Sequence, residues 1–194
     1  MNLPNKLTLL RVFLIPFFLL FMYWKMPFHY LIALVIFAAA SITDALDGKI
    51  ARKRNLVTNF GKFLDPLADK VLVISALTVF VEIPEIKMGA VPLIIISARE
   101  FMVSGLRLLA ADSGVVVAAG IWGKLKTAFT MVAIVVALVW RSVCNDFDFG
   151  ISIGLKDAVD NIVIPVLIWI STALTVISGG IYLKGYWHLI DSDK

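Results

Sequence analysis

Apolar positions along this chain come in long runs, not in alternation. Six runs stand out, at residues 7–24, 28 into the segment at Asp44, 61–81, 91–111, 122–140 and 162–182. The last is 21 residues without a charge, close to the ~20 residues a helix needs to cross a bilayer. The first five carry ionisable residues at one end or inside, as expected of helices that project past the hydrocarbon or line a wet cavity. Every backbone amide needs a partner in lipid, so helices are the reasonable spanning element. Strands would need repeated segments of about ten alternating residues, and none is visible. The pattern predicts an all-α, polytopic membrane bundle of six transmembrane helices in a single domain, residues 1–194. There is no repeat, no low-complexity segment and no sign of a second domain.

The breaks between runs are short and polar. Pro84 and Pro92 bracket a connection with Glu82, Glu85, Lys87 and Gly89, Asp112-Ser113-Gly114 ends the fourth run, and residues 145–150 form the longest connection. Basic residues gather on alternate connections. Lys6 and Arg11 stand at the N-terminus, and Lys49, Arg52, Lys53, Arg54 and Lys62 follow the second run. Arg107, Lys124 and Lys126 lie around the junction of the fourth and fifth runs. The intervening connections mix Lys25, Lys87, Arg141 and Lys156 with acids. The positive-inside rule then places both termini, and the ends bearing those basic residues, in the cytoplasm. An even number of spans agrees.

Composition strengthens the membrane reading. The chain is 60% hydrophobic with a mean hydropathy of +0.93, against roughly 45–50% apolar for a soluble domain. The net charge of +4 is modest, and no feature points to nucleic acid. Cys144 is the one cysteine, which excludes an intramolecular disulfide and a cysteine zinc site and leaves an inert apolar filler. His29 and His188 are far apart, which argues against a Ser-His or Cys-His nucleophile. The N-terminal run lacks a small-residue cleavage site, so a cleavable signal is not expected.

The most distinctive polar feature is acidic. Asp44 and Asp47 are three apart, Asp65 and Asp69 four apart, so on helices each pair shares a face. Carboxylates beside a membrane must be paired, hydrated or metal-bound. Four converging oxygens without a His or Cys cluster suit a hard divalent cation such as Mg²⁺, Ca²⁺ or Mn²⁺. The acids share their side of the membrane with the basic residues, and cations of both kinds would grip a pyrophosphate. Gly48, Gly61 and the small Ala51 leave room for a ligand or a neighbouring helix. The pair Asp65-Pro66 predicts a turn or first-turn position for Asp65. Solvated aspartates capping helix ends are the plain alternative for one such pair, and a weak one for four.

Asp44-x-x-Asp47-Gly48-x-x-Ala51-Arg52, eight residues, then Gly61-x-x-x-Asp65-x-x-x-Asp69 resembles the signature of the CDP-alcohol phosphatidyltransferases at every signature position. The resemblance implies transfer of a phosphatidyl group from CDP-diacylglycerol to an alcohol, with CMP released. It implies that Asp44, Asp47, Asp65 and Asp69 hold one or two divalent ions, Mg²⁺ or Mn²⁺, and that Asp69 is the general base. Gly48 and Ala51 would make room for the cytidine and Arg52 would contact phosphate. Gly61 belongs to the same donor site, and Lys62 beside it reaches a phosphate or lies at the interface. Asn5, Thr8 and Arg11 either cap the first helix or touch the donor phosphates. A homodimer in a bacterial cell membrane is also implied, with Gly179-Gly180 as one candidate helix interface.

Three further segments, Asn2 to Arg11, Ser97 to Arg107 and Gly123 to Thr127, resemble the bacterial phosphatidylglycerophosphate synthase branch, which implies sn-glycerol 3-phosphate as acceptor. A phosphate-bearing acceptor needs its own cations, and Arg99, Arg107, Lys124 and Lys126 are the available set. Arg99 deep in a span is costly unless it faces a wet cavity, pairs with Glu100 or snorkels; Lys124 and Lys126 are equally ordinary membrane-edge anchors. Inositol phosphate, serine or phosphatidylglycerol as acceptor would use the same acidic cluster. A cation transporter would want acids near the midplane and broken helices. Trp122, Trp140, Trp169 and Tyr182 are expected to be belt or packing residues.

Overall fold

The computed structural model describes residues 3–54, 59–112, 120–147 and 149–190; the side chains of residues 3–5, 45–54, 59–66, 111–112 and 188–190 lie outside that description. The described chain is mainly helical, and no strand occurs among the described residues. The long helices are α1 (Leu3–Tyr23), α2 (His29–Arg54), α3 (Asn59–Glu82), α4 (Ala90–Asp112) and α5 (Ile121–Arg141). A short α6 (Ile153–Ala158) runs through a π-helical turn (Val159–Val163) into α7 (Ile164–Ile190). At ~1.5 Å per residue the 21 residues of α1 or α5 reach about 32 Å, the thickness of a hydrocarbon core.

Three described stretches are long and apolar enough to cross a membrane: Lys6–Tyr23, Ile121–Asp146 and Ile153–Trp187. A shorter apolar stretch covers His29–Asp44. Large apolar side chains such as Phe13, Ile94, Phe101 and Leu108 face outward, the last 75% exposed, which suits a lipid-facing perimeter. The chain therefore has the character of an all-α membrane protein.

Inside, α1 packs on α2 and α3, α5 on α2 and α7, and α4 on α7 and α3. Phe18, Phe37, Phe80, Leu77, Ile134 and Leu138 fill the centre, and Ala33, Ala40, Ala76, Ala133 and Ala137 are fully or almost fully buried between helices. Small residues let backbones approach where lipid supplies no hydrophobic drive. Phe18 and Phe37 meet with ring centroids 5.9 Å apart. The hydroxyls of Thr130 and Ser171 join α5 to α7 at 2.5 Å.

One end of the bundle is tied by polar contacts around the connections. Asp146 accepts the backbone N–H of Leu31 at 2.7 Å, so the connection after α5 supplies an acceptor to the first turn of α2. Lys87, in the left-handed region at φ 48°, donates to Asn161. Trp140 donates its ring N–H to Asp160 at 2.8 Å, and Arg141 donates to the same carboxylate. Trp140 is thus more than a belt residue. Arg141 is 1% and Asp160 7% exposed, so each ion would be stranded without the other. Replacing Asp160 with Ala is expected to cost on the order of 3 kcal/mol, read as a lowered unfolding midpoint in detergent, with the chemistry at the far end of the bundle intact.

The helix bounds follow the hydropathy closely. One difference lies before α7: helix starts at Ile153 instead of near residue 162, because Asp160 finds its partners on α5. Another lies in α3, which begins at Asn59, so Asp65 stands in its second turn and not in a first turn.

Candidate active site

At the opposite end from Asp146, α1 and the last part of α2 converge on a buried guanidinium. Arg11 is fully buried and forms an ion pair with Asp44, its Nη1 2.8 Å from Asp44 Oδ1, while the Asp44 side chain stays 47% exposed. A buried cation needs a partner, so Arg11 orients the first signature carboxylate toward the open side. Thr8, one turn earlier, is also fully buried. Asp69 comes from α3. Its Oδ1 accepts the backbone N–H of Lys70 at 2.8 Å and lies 3.8 Å from the Lys70 ammonium, with the side chain 46% exposed.

Asp44 and Asp69 line one cavity of about 690 Å³ together with Arg99, Arg107, Lys124 and Lys126. Two helices that each carry one acid, and two more that carry the cations, thus open onto a common space. Five basic and three acidic side chains line it, a balance that favours an anionic ligand. The side chains of Asp47, Asp65, Gly48, Ala51, Arg52, Gly61, Lys62 and Asn5 lie outside the described residues.

The four cations are not equivalent. Lys126 is 5% exposed and donates to Glu100, so its charge already has a partner. Arg99 is 8% exposed. Its Nη1 lies 3.3 Å from Glu100 Oε1, but Nε and Nη2 are buried and have no hydrogen-bond partner. Buried N–H groups without acceptors are costly; here they border a cavity suited to an anion. Arg107 and Lys124 are exposed on the cavity wall. Room for Arg99 comes from Gly179 on α7, where a methyl group would sit 3.2 Å from Arg99 Cγ. Gly179 is therefore an intramolecular α4–α7 contact; Gly180 beside it faces open space.

Three further residues support this site, of which the sequence pointed to Glu100 alone, as a partner for Arg99. Lys70 flanks the proposed base, and adjacency to Asp69 was its signal. Glu100 joins Arg99 to Lys126. Of the two roles expected for Tyr182, belt or packing, the structure shows packing: it is 5% exposed. Its hydroxyl accepts N–H groups from Arg107 and Gly120, each at 3.1 Å. No local pattern in the sequence marks it.

Residues 1–177 match the family model described as CDP-alcohol phosphatidyltransferase. The chain belongs to the CDP-alcohol phosphatidyltransferase family. It is 39% identical over 206 residues to the CDP-diacylglycerol–glycerol-3-phosphate 3-phosphatidyltransferase of Bacillus subtilis (strain 168), covering 100% of this chain and 99% of the relative. The protein of the same name from Rickettsia bellii is 39% identical over 183 residues, 94% of each chain. That of Escherichia coli (strain K12) is 43% identical over 142 residues, 72% of this chain and 78% of the relative. This member of the CDP-alcohol phosphatidyltransferase family is an enzyme by that membership, and Asp44 and Asp69 are the first and last aspartates of the signature motif.

Proposed function

We propose that this protein transfers the phosphatidyl group of CDP-diacylglycerol to sn-glycerol 3-phosphate, giving phosphatidylglycerophosphate and CMP. Relatives at 36–43% identity named for this reaction support it. The observation that carries the acceptor assignment is Arg99, a buried guanidinium with two unpartnered nitrogens on the wall that also bears Asp44 and Asp69. A second phosphate needs cations beyond those that hold the donor, and Arg99, Arg107 and Lys124 supply them. A neutral or zwitterionic acceptor leaves that set without a purpose.

The reaction is a displacement at the phosphorus that bears the diacylglycerol. The acceptor hydroxyl oxygen forms the new bond, the bridging pyrophosphate oxygen leaves with CMP, and Asp69 takes the hydroxyl proton. No covalent enzyme intermediate is required. Arg99 and Arg107 orient the acceptor through its phosphate, which brings the hydroxyl to the reacting phosphorus. The donor set fits a divalent ion: Asp44 and Asp69 are half-exposed hard-oxygen ligands on one cavity, each with Oδ1 in a hydrogen bond or ion pair and a second carboxylate oxygen besides. Asp44, Asp47, Asp65 and Asp69 would hold Mg²⁺ or Mn²⁺, which supplies charge stabilisation to the phosphoryl oxygens when bound.

We place the enzyme in the cell membrane as one domain of six spans, α1 to α5 and α7, with the site and both termini cytoplasmic. The extra charges of α3 and α4 belong to the site they line, which lowers their hydropathy below that of α1 or α5. The deciding experiment is an acceptor screen with labelled CDP-diacylglycerol and purified protein in detergent. Glycerol phosphate should drive CMP release at least about tenfold faster than serine or inositol phosphate. Equal rates with serine would remove the acceptor assignment, and cation flux without CMP would remove the enzyme.

A further inference from the structure

We propose that Tyr182 is a positioning residue that sets the affinity for the acceptor by holding Arg99 and Arg107 apart and in place. The inference rests on the acceptor site described above and adds a residue to it. Two guanidinium groups on one wall repel each other, and free arginine side chains lose rotamer entropy when they bind a phosphate. Tyr182 meets both difficulties. The guanidinium carbons of Arg99 and Arg107 lie 5.4 and 5.6 Å from its ring centroid, within range of attraction to the aromatic face. Its hydroxyl accepts from Arg107 Nη2 at 3.1 Å, which fixes the end of a side chain that is otherwise exposed.

The same oxygen accepts the backbone N–H of Gly120 at 3.1 Å. Gly120 immediately precedes α5, whose first turn carries Lys124. Tyr182 therefore ties α7 to α4 and to the start of α5, the two helices that supply the acceptor cations. Gly123 borders the same junction: a methyl group there would make ordinary contact, 3.6 Å, with both Arg99 Nη2 and the Tyr182 ring. Tyr182 also stands five residues beyond the family match, which ends at residue 177. The signature chemistry on the donor is carried inside that match, whereas this contact acts on the acceptor side. A residue outside the common match that organises the acceptor cations is placed to distinguish one acceptor from another.

Steady-state kinetics on the full-length protein in detergent test this with Tyr182→Phe, Tyr182→Leu and Arg99→Ala. Tyr182→Phe keeps the ring and removes the hydroxyl. It should raise KM for glycerol phosphate about tenfold, the weight of one hydrogen bond to a charged group. It should leave kcat within about twofold and KM for CDP-diacylglycerol unchanged. Tyr182→Leu should raise the acceptor KM further, because the ring is lost as well. A merely structural tyrosine would instead weaken both substrates alike, and that result overturns the inference. If Arg99→Ala raises the acceptor KM and Tyr182→Phe does not, the role of Tyr182 falls while the acceptor site stands. If Arg99→Ala leaves that KM unchanged, the acceptor site itself falls.

Discussion

Asp69→Asn is expected to lower kcat by about a thousandfold, the middle of the range for loss of a general base, or about 4 kcal/mol in the barrier. The substitution keeps the shape of the side chain. Its amide oxygen can still accept the Lys70 backbone N–H that Asp69 Oδ1 accepts now, so the helix should be undisturbed. What disappears is the ability to take a proton from the acceptor hydroxyl. Binding of CDP-diacylglycerol, measured by displacement of a labelled cytidine nucleotide, should weaken only in part, because Asp44 and the remaining signature acids persist. Turnover above a tenth of the wild-type rate would exclude Asp69 as the base. Loss of donor binding in proportion to turnover would make it a binding residue only.

Arg99→Ala is expected to raise KM for glycerol phosphate about a hundredfold. Two charge-assisted hydrogen bonds from Nε and Nη2 to a phosphate are worth about 1.5 kcal/mol each at the low end, and each 1.4 kcal/mol is tenfold. Those nitrogens have no partner in the protein, so the phosphate displaces no internal bond on binding. Arg99→Lys should rescue poorly, since an ammonium cannot present two parallel N–H groups. Glu100 keeps its contact with Lys126 in either variant, which limits the disturbance to the cavity wall. An equal rise in KM for CDP-diacylglycerol would place Arg99 on the donor instead.

Much of the fold was readable in order along the chain. The predicted runs at 91–111 and 122–140 fall within α4 and α5, ending within a residue or two of the observed helices, because a lipid-exposed helix must be apolar for its whole crossing. The acids were expected on helices, and Asp44 and Asp69 do stand on α2 and α3, while the side chains of Asp47 and Asp65 lie outside the described residues. The segment from Ile153 to Val163 was not readable as helix. Lys156, Asp157 and Asp160 interrupt its hydropathy; Asp160 is buried through its contacts with Trp140 and Arg141, while Ile153 and Leu155 stay exposed.

Hydropathy and the signature, both local properties of consecutive residues, were enough to read a helical membrane enzyme of this family and to expect an acid-based site served by basic side chains. Which cations are available was decided by the packing of distant helices. Lys126 is taken by Glu100 on α4, 26 residues away; Arg11 is taken by Asp44; Arg99 keeps two open nitrogens. Tyr182, 75 residues from Arg107, enters the site from α7. A charge in sequence has no partner until the chain brings one within about 4 Å, and only the assembled bundle sets those distances.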